Sequence, residues 1–363
     1  MEKGRFAPSP SGRMHLGNVY AALLSWLSAK KEGGLWLLRI EDLDRQRCKK
    51  EFADLLMDDL LWLGLRWDEG PIFPNLESIE HTANDSSTKA GEPTKAQDCR
   101  AAGDLQGQKN AQDQNAARKN GLAGHNRDAA ASYFQSERDE IYQKYFSRLE
   151  ELGLIYDCFC RRADLLASSA PHAGDGTPVY GGTCRNLLSN ERARLLKERQ
   201  PAKRIRAQGL ESIFVDGHYG EQKCGLEKDC GDFVIRRADK NFSYQLAVTV
   251  DDALMGVTQV ARGRDLLLST HQQLYLYKTL GLAAPRFYHF PLLVDAQGRR
   301  LSKRDKDLGM DVLRSNFSPQ EVIGKIMALC GFVPHGQSLS LDDALELFDW
   351  SKMPKADIVA ELP

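Results

Sequence analysis

Three groups of residues in this chain have types and spacings that could do chemistry. The first is Arg5-Phe6-Ala7-Pro8-Ser9-Pro10-Ser11-Gly12-Arg13-Met14-His15-Leu16-Gly17-Asn18. Prolines at 8 and 10 deny a strand further ladder donors, and Gly12 and Gly17 let the backbone approach a ligand closely. Val19, Ala22, Leu23, Trp26 and Leu27 then fall at helical spacing. A glycine-containing turn that feeds a helix N-terminus is a site for phosphate, because N–H groups and the helix dipole point at the anion. His15 stands just before that helix, where its ring could donate to the same phosphate. The second group is Arg300-Leu301-Ser302-Lys303-Arg304, inside a basic run from Arg299 to Lys306. The third is Cys158-Phe159-Cys160 with Cys184 further on. Two thiolates one residue apart can face a single ion, Cys184 offers a third sulfur, and a fourth ligand would complete the tetrahedron of a structural zinc. Chemistry alone favours His172, in the intervening loop, as that fourth ligand.

These stretches carry a family resemblance. His15-Leu16-Gly17-Asn18 resembles the HIGH motif of class I aminoacyl-tRNA synthetases, and Leu301-Ser302-Lys303 resembles the core of their KMSKS loop. Arg5 to Gly12 looks like the opening of the glutamyl branch. Arg39-Ile40-Glu41-Asp42-Leu43-Asp44 resembles that branch's R-[IV]-E-D-T-D, with Leu43 in place of Thr. Phe242 to Asp252 and Gly256 to Asp265 resemble its Y-x-[FL]-A-x-V-V-D-D and G-[IV]-T-x-V-x-R-G stretches. Tyr244 and Arg262 are 262 − 244 = 18 apart, the spacing that puts both at the glutamate pocket in relatives. Cys-x-Cys followed by Tyr-x3-Cys is similar to the zinc site of the glutamyl-Q tRNA(Asp) synthetase family, in which tyrosine is the fourth ligand.

The resemblance implies catalytic roles for His15, Gly17 and Lys303, and ATP binding by His15, Gly17, Asn18, Ser302 and Lys303, with Mg²⁺ on the pyrophosphate. It implies glutamate binding by Arg5, Ala7, Ser9, Glu41, Tyr244 and Arg262, and zinc binding by Cys158, Cys160, Tyr180 and Cys184. Arginine suits a carboxylate because its planar fork meets both oxygens; a structural ion pair is the plainer reading of Arg262, and a core aromatic that of Tyr244. The implied reaction is ATP-dependent activation of L-glutamate, then transfer to the queuosine base at the wobble position of tRNA(Asp). A truncated glutamyl-tRNA synthetase charging the 3′ end of tRNA(Glu), and a non-catalytic synthetase paralogue, are the alternatives. The expectation for queuosine rests on length: 363 − 303 = 60 residues follow Lys303, where an ordinary glutamyl-tRNA synthetase continues into a helical anticodon-reading domain.

The elements that must position these residues follow from composition and pattern. The 363 residues are 42% hydrophobic and 27% charged, with a net charge of −1, so RNA binding would rest on local patches and not on a global basic field. No apolar leader and no run of membrane-spanning length is visible. The expectation is therefore a cytoplasmic, monomeric protein with no membrane partner, whose eight cysteines are reduced thiols or metal ligands. The expected fold is α/β: a Rossmann-type class I synthetase catalytic domain, split by a zinc-containing insertion, with a short α-helical C-terminal tail. Residues 1–73 make its first half, with a strand at 35–40 and a helix at 49–63. Residues 74–134 are polar and poor in aliphatic and aromatic side chains, which predicts a disordered insertion whose His81, Cys99 and His125 are solvated. Residues 135–202 form the zinc-binding insertion of the acceptor-end type, opening with a helix at 138–152. Residues 203–297 return to the catalytic domain in strand-rich form, with strands expected at 203–206, 232–237 and 242–252, then a helix around 271–280. No role is assigned to Cys224 and Cys230. Residues 298–363 carry the KMSKS-like loop and helices, one announced by the capping box of Ser318 and Glu321 with Pro319 at its first position.

Overall fold

The computed structural model describes residues 1–73, 132–161, 179–207, 209, 211–301 and 309–360. The polar segment 74–131, His172, Ser302 and Lys303 lie outside them. Residues 1–71 and 129–363 belong to one unit.

The chain begins with a βαβ unit. Strand β1 (Lys3–Phe6) pairs in parallel with β2 (Leu35–Leu38), Lys3 opposite Leu35 and Phe6 opposite Leu38. Helix α1 (Leu16–Lys31) connects them and is buried nearly all round, through Leu16, Val19, Leu23, Leu24 and Leu27. A second parallel pair, β8 (Gln259–Gly263) and β9 (Arg286–Phe290), lies beside the first. Thr258 N–H donates to the Lys3 carbonyl at 2.9 Å, and Lys3 N–H donates to the Thr258 hydroxyl at 2.8 Å. Two parallel pairs with helical crossovers are the arrangement expected of a Rossmann-type domain.

Between these halves come α2 (Lys50–Trp62), α3 (Asp139–Glu151) and a three-stranded antiparallel sheet of β3 (Ile155–Cys158), β4 (Ala202–Ile205) and β7 (Phe233–Arg236). Helix α4 (Ser189–Glu198) precedes β4. The hairpin β5 (Glu211–Asp216) and β6 (Gly220–Gly225) is separate from that sheet. The small sheet thus crosses the boundary expected at residue 202.

One expected strand is a helix. Residues Tyr244–Leu254 form α5, capped by Ser243, whose hydroxyl accepts from Leu246 N–H. Its buried residues run unbroken from Leu246 to Asp252, so no polar stripe marks the helical period. The β-branched run Val248-Thr249-Val250 then reads as strand until packing decides. Leu246, Ala247 and Val250 pack with Tyr142, Phe146 and Leu149 of α3 and with Leu276 of α6 (Leu267–Leu280). Gly281 ends α6 at φ +68°, where a side chain would be strained.

The C-terminal part is helical, as expected: α7 (Met310–Asn316), α8 (Pro319–Leu329) and α9 (Leu341–Leu347). The capping box is formed, since Ser318 and Glu321 exchange hydrogen bonds between side chain and backbone. A short parallel pair, β10 (Leu293–Val294) with β11 (Ile358–Val359), ties this tail to the domain. Among the described residues no helix is long and apolar enough to cross a membrane.

Candidate active site

A cavity opens where the parallel strands end. Ala7 and Pro8 reach it from β1, Glu41 from beyond β2, and Arg262 and Gly263 from β8. The first turn of α1 contributes His15, Gly17 and Asn18, and Tyr244 comes from α5. Arg300 and Leu301 line it too; they directly precede Ser302 and Lys303.

His15 is the N-cap of α1. Its Nδ1 accepts from Gly17 N–H at 3.1 Å, and its own N–H donates to Asn18 Oδ1 at 3.1 Å. Because Nδ1 accepts, the proton of the neutral ring sits on Nε2, the arrangement a phosphate donor needs. Gly17 is sterically fixed: a Cβ there would lie 2.9 Å from His15 Cε1. The Gly17 N–H, expected to face phosphate, is instead given to His15.

Beneath the cavity lies a network of buried charges. Arg39, fully buried, donates to Asp252 Oδ1 at 2.7 Å and to Glu41 Oε1 at 3.1 Å. Arg5 faces both oxygens of Asp252, at 3.3 and 3.4 Å. Asp251 accepts from Gln135, Arg138 and Tyr142, each at 2.8 Å. Burial pushes the Glu41 carboxyl above its ordinary range, more than Arg39 and Arg5 hold it down.

Arg262 differs from its neighbours. It is 5% exposed, and its hydrogen bonds go to neutral groups: Thr270 Oγ1 at 2.7 Å, His289 Nε2 at 3.1 Å and Tyr244 Oη at 3.5 Å. Among the described residues it forms no salt bridge, whereas Arg5 and Arg39 both do.

The thiols gather elsewhere, on the small antiparallel sheet. The sulfurs of Cys158, Cys160 and Cys184 all lie within 4.8 Å of one another. Tyr180 Oη joins them, 3.5 Å from the Cys158 sulfur and 3.9 Å from that of Cys160, while the Cys160 and Cys184 sulfurs are 3.6 Å apart. The phenol is held by Cys184 N–H at 2.8 Å and by the Arg204 guanidinium, 3.9 Å above its ring. Gly231 bridges to Tyr180 at φ +65°, where a Cβ would fall 2.8 Å from the Tyr180 carbonyl oxygen. Burial raises the Cys158 thiol, but the Tyr180 hydrogen bond and the Arg204 charge outweigh it and hold the thiol below its usual range. Burial and the neighbouring Cys158 push Cys160 up to about 12.

Comparison with known proteins adds the family. The model of the class I tRNA synthetases (E and Q), catalytic domain, matches residues 3–87 and 103–356. The chain belongs to that family. It is 39% identical to the glutamyl-Q tRNA(Asp) synthetase of Nitratidesulfovibrio vulgaris, over 99% of this chain and 95% of the relative. It is 33% identical to the glutamate–tRNA ligase of a Sulfurihydrogenibium species, over 98% of this chain but 64% of that protein. The glutamate–tRNA synthetase structure from Elizabethkingia anophelis matches with a TM-score of 0.70 and 26% identity, over 99% of this chain and 68% of that one.

In a class I synthetase of this type, the HIGH-like turn and the residues leading into the KMSKS-like loop should border one cavity, and here they do. Arg5, Ala7, Glu41, Tyr244 and Arg262, expected from sequence at the amino acid, border it as well. Ser9 does not: it is exposed, held between two prolines with its carbonyl accepting from Ser11 N–H. Sequence reasoning passed over Arg39, Asp251 and Asp252, which anchor the site from beneath. Their signal was available, since an arginine and two adjacent acids inside apolar stretches must find each other when buried. Asp216, Thr270 and His289 gave no local signal.

Proposed function

We propose that this chain activates L-glutamate with ATP and passes the glutamyl group to the queuosine base at the wobble position of tRNA(Asp). The observation that carries the activation step is the division of charge in the cavity. Arg262 is a buried cation with neutral partners, and Glu41 is a buried carboxylate that pairs with Arg39 but is still held above its ordinary range by burial. A buried cation without a counter-charge is costly, so Arg262 calls for a carboxylate, and Glu41 on the same cavity suits an ammonium. Glutamate fits, its side-chain carboxylate on Arg262 and its ammonium near Glu41. Arg5 then acts through Asp252, whose charge it balances, and not as a second carboxylate clamp.

In the first step an α-carboxylate oxygen attacks the α-phosphorus of ATP, the bond to the bridging oxygen breaks, and pyrophosphate leaves. Catalysis of this kind rests on positioning and charge neutralisation. His15 Nε2–H is the donor for phosphate, Lys303 and Ser302 are proposed for the triphosphate, and Mg²⁺ accompanies the nucleotide as part of the substrate. In the second step a hydroxyl of the queuosine cyclopentene ring attacks the glutamyl carbonyl and AMP leaves. The match over 95% of the glutamyl-Q relative supports this acceptor; the alternative is the 3′ end of tRNA(Glu), toward which the match to a glutamate–tRNA ligase points. Activation is tested by ATP–pyrophosphate exchange. Exchange should depend on glutamate without any tRNA and be far weaker with glutamine or aspartate. Exchange that needs tRNA, or that glutamine supports equally, contradicts the reading.

A structural zinc is part of the proposal. Zinc–sulfur bonds of about 2.3 Å and zinc–oxygen bonds of about 2.0 Å set tetrahedral edges of about 3.5–3.8 Å. The separations of 3.5, 3.6 and 3.9 Å among Cys158, Cys160, Cys184 and Tyr180 fit that figure. Zinc bound there would pin the end of β3 to the turn at 180–184. Metal analysis of protein purified without chelator should give about one equivalent. Cys160→Ser should lower it sharply, Tyr180→Phe should weaken retention, and His172→Ala should leave it unchanged. Retention in Tyr180→Phe with release in His172→Ala would make histidine the fourth ligand.

A further inference from the structure

Arg262 owes its aim to a chain of groups behind it. Asp216, at the end of β5, lies against β9: its Oδ2 is 2.6 Å from His289 Nδ1, and its Oδ1 accepts from His218 and Tyr219 N–H at 3.0 and 2.9 Å. The other ring nitrogen of His289 accepts from Arg262 Nε at 3.1 Å. Thr270 Oγ1 lies 3.2 Å from the same nitrogen and accepts from the guanidinium at 2.7 Å. Asp216, Thr270, His289 and Arg262 are all 5% exposed or less.

The geometry fixes the proton. A guanidinium Nε can only donate, so His289 Nε2 must present a lone pair. Nδ1, against a carboxylate, must then carry the hydrogen. Protonation of both nitrogens would set N–H against N–H. Burial also pushes the His289 imidazole down, to about 4, against the pull of Asp216 and with the help of Arg262.

We propose that His289 is a positioning residue for glutamate recognition: as a neutral Nδ1–H imidazole held by Asp216, it orients Arg262 without neutralising it. This rests on the reading that Arg262 receives the substrate's side-chain carboxylate. The chemistry explains why an imidazole stands between the acid and the arginine. Asp252 meets Arg5 directly, and that guanidinium is consumed by its partner. An acid placed directly on Arg262 would compete with the substrate in the same way. A neutral ring transmits the direction of the Asp216 hydrogen bond while keeping the anion one ring away. Phe287, whose ring lies 5.1 Å from the Arg262 guanidinium carbon, supports it from another side, again with no negative charge.

The test compares His289→Gln, His289→Asn and His289→Phe in the full chain by ATP–pyrophosphate exchange. Glutamine sets a carbonyl oxygen near the place of Nε2, keeping an acceptor for Arg262 but losing Asp216. Asparagine sets its amide near Nδ1, keeping Asp216 and offering nothing to Arg262. Phenylalanine loses both. The KM for glutamate should rise about tenfold or more in the Asn and Phe variants, because a misaimed clamp loses substrate affinity. It should stay within about threefold in the Gln variant, with the KM for ATP unchanged throughout. A KM for glutamate that rises alike in Gln and Asn, in step with lost melting temperature, would reduce His289 to a structural residue. Nitrogen-15 NMR of the unaltered protein at neutral pH gives a second readout. A proton on Nδ1 agrees with the proposal, and a proton on Nε2 overturns it. Absence of glutamate-dependent exchange in the unaltered protein would instead sink the function proposed above, and the NMR result would still decide the tautomer.

Discussion

Arg262→Ala should nearly abolish glutamate-dependent exchange while barely changing stability. Removing one partner of a buried, hydrogen-bonded charge pair costs about 2–5 kcal/mol, and here the missing partner is the substrate, so the loss falls on binding and catalysis. A drop of about a hundredfold or more in kcat/KM for glutamate is expected, since about 2.8 kcal/mol is two factors of ten. The folded protein without ligand has the opposite stake. It holds a buried cation with no carboxylate partner among the described residues, so removing the charge also removes a desolvation cost. The change in stability should stay within about 1 kcal/mol, in contrast to the 3–5 kcal/mol expected when a paired buried charge is broken. Arg39→Ala supplies that contrast, because it removes the ion-pair partner of Glu41 and one of the two arginines on Asp252. Exchange assays and thermal melts of the two variants check both halves. An Arg262 variant that melts far earlier while retaining exchange would make Arg262 an ordinary core residue.

Glutamate should transfer only to tRNA(Asp) that carries queuosine. The cyclopentene diol of queuosine resembles a ribose diol, and a wobble base can be splayed from a single-stranded loop so that its modified ring reaches the adenylate. The contrast should be all or none, because unmodified guanine at that position presents no such hydroxyl. Labelled glutamate is offered to tRNA(Asp) from cells with and without the queuosine pathway, in parallel with tRNA(Glu). Equal labelling of both forms of tRNA(Asp), or preferential labelling of tRNA(Glu), would promote the alternative acceptor. Binding should weaken with added salt as phosphate contacts are screened.

How much was legible in the sequence depended on distance along the chain. The HIGH-like turn, the helix it opens and the apolar strand at 35–38 are local, so spacing and turn chemistry sufficed to find them. The Ser318–Glu321 box is local too. The thiol cluster was legible because Cys158 and Cys160 share one strand end and Tyr180 and Cys184 share one turn; the structure brings these two pairs together. The family followed from these pieces, since each is written in a few adjacent residues.

Other features were decided only by tertiary packing. Residues Tyr244–Leu254 could not be read as a helix because burial along one continuous run leaves no polar stripe to distinguish the two periods, and packing against α3 and α6 decided the matter. Which arginine meets an acid could not be read from composition: Arg5 and Arg262 are alike as residues, and only the fold sets Asp252 against one and His289 against the other. The Gly17 amide is given to His15 and Ser9 is exposed, with its carbonyl accepting from Ser11 N–H, arrangements set by the loop's own hydrogen bonds that residue types alone do not specify. Asp216 and His289, 73 residues apart, carry no mutual signal in the chain. A hydrogen bond between buried groups is set by where two distant strands come to rest, so sequence determined which side chains could do this chemistry, and the fold determined which of them are paired with an acid and which are not.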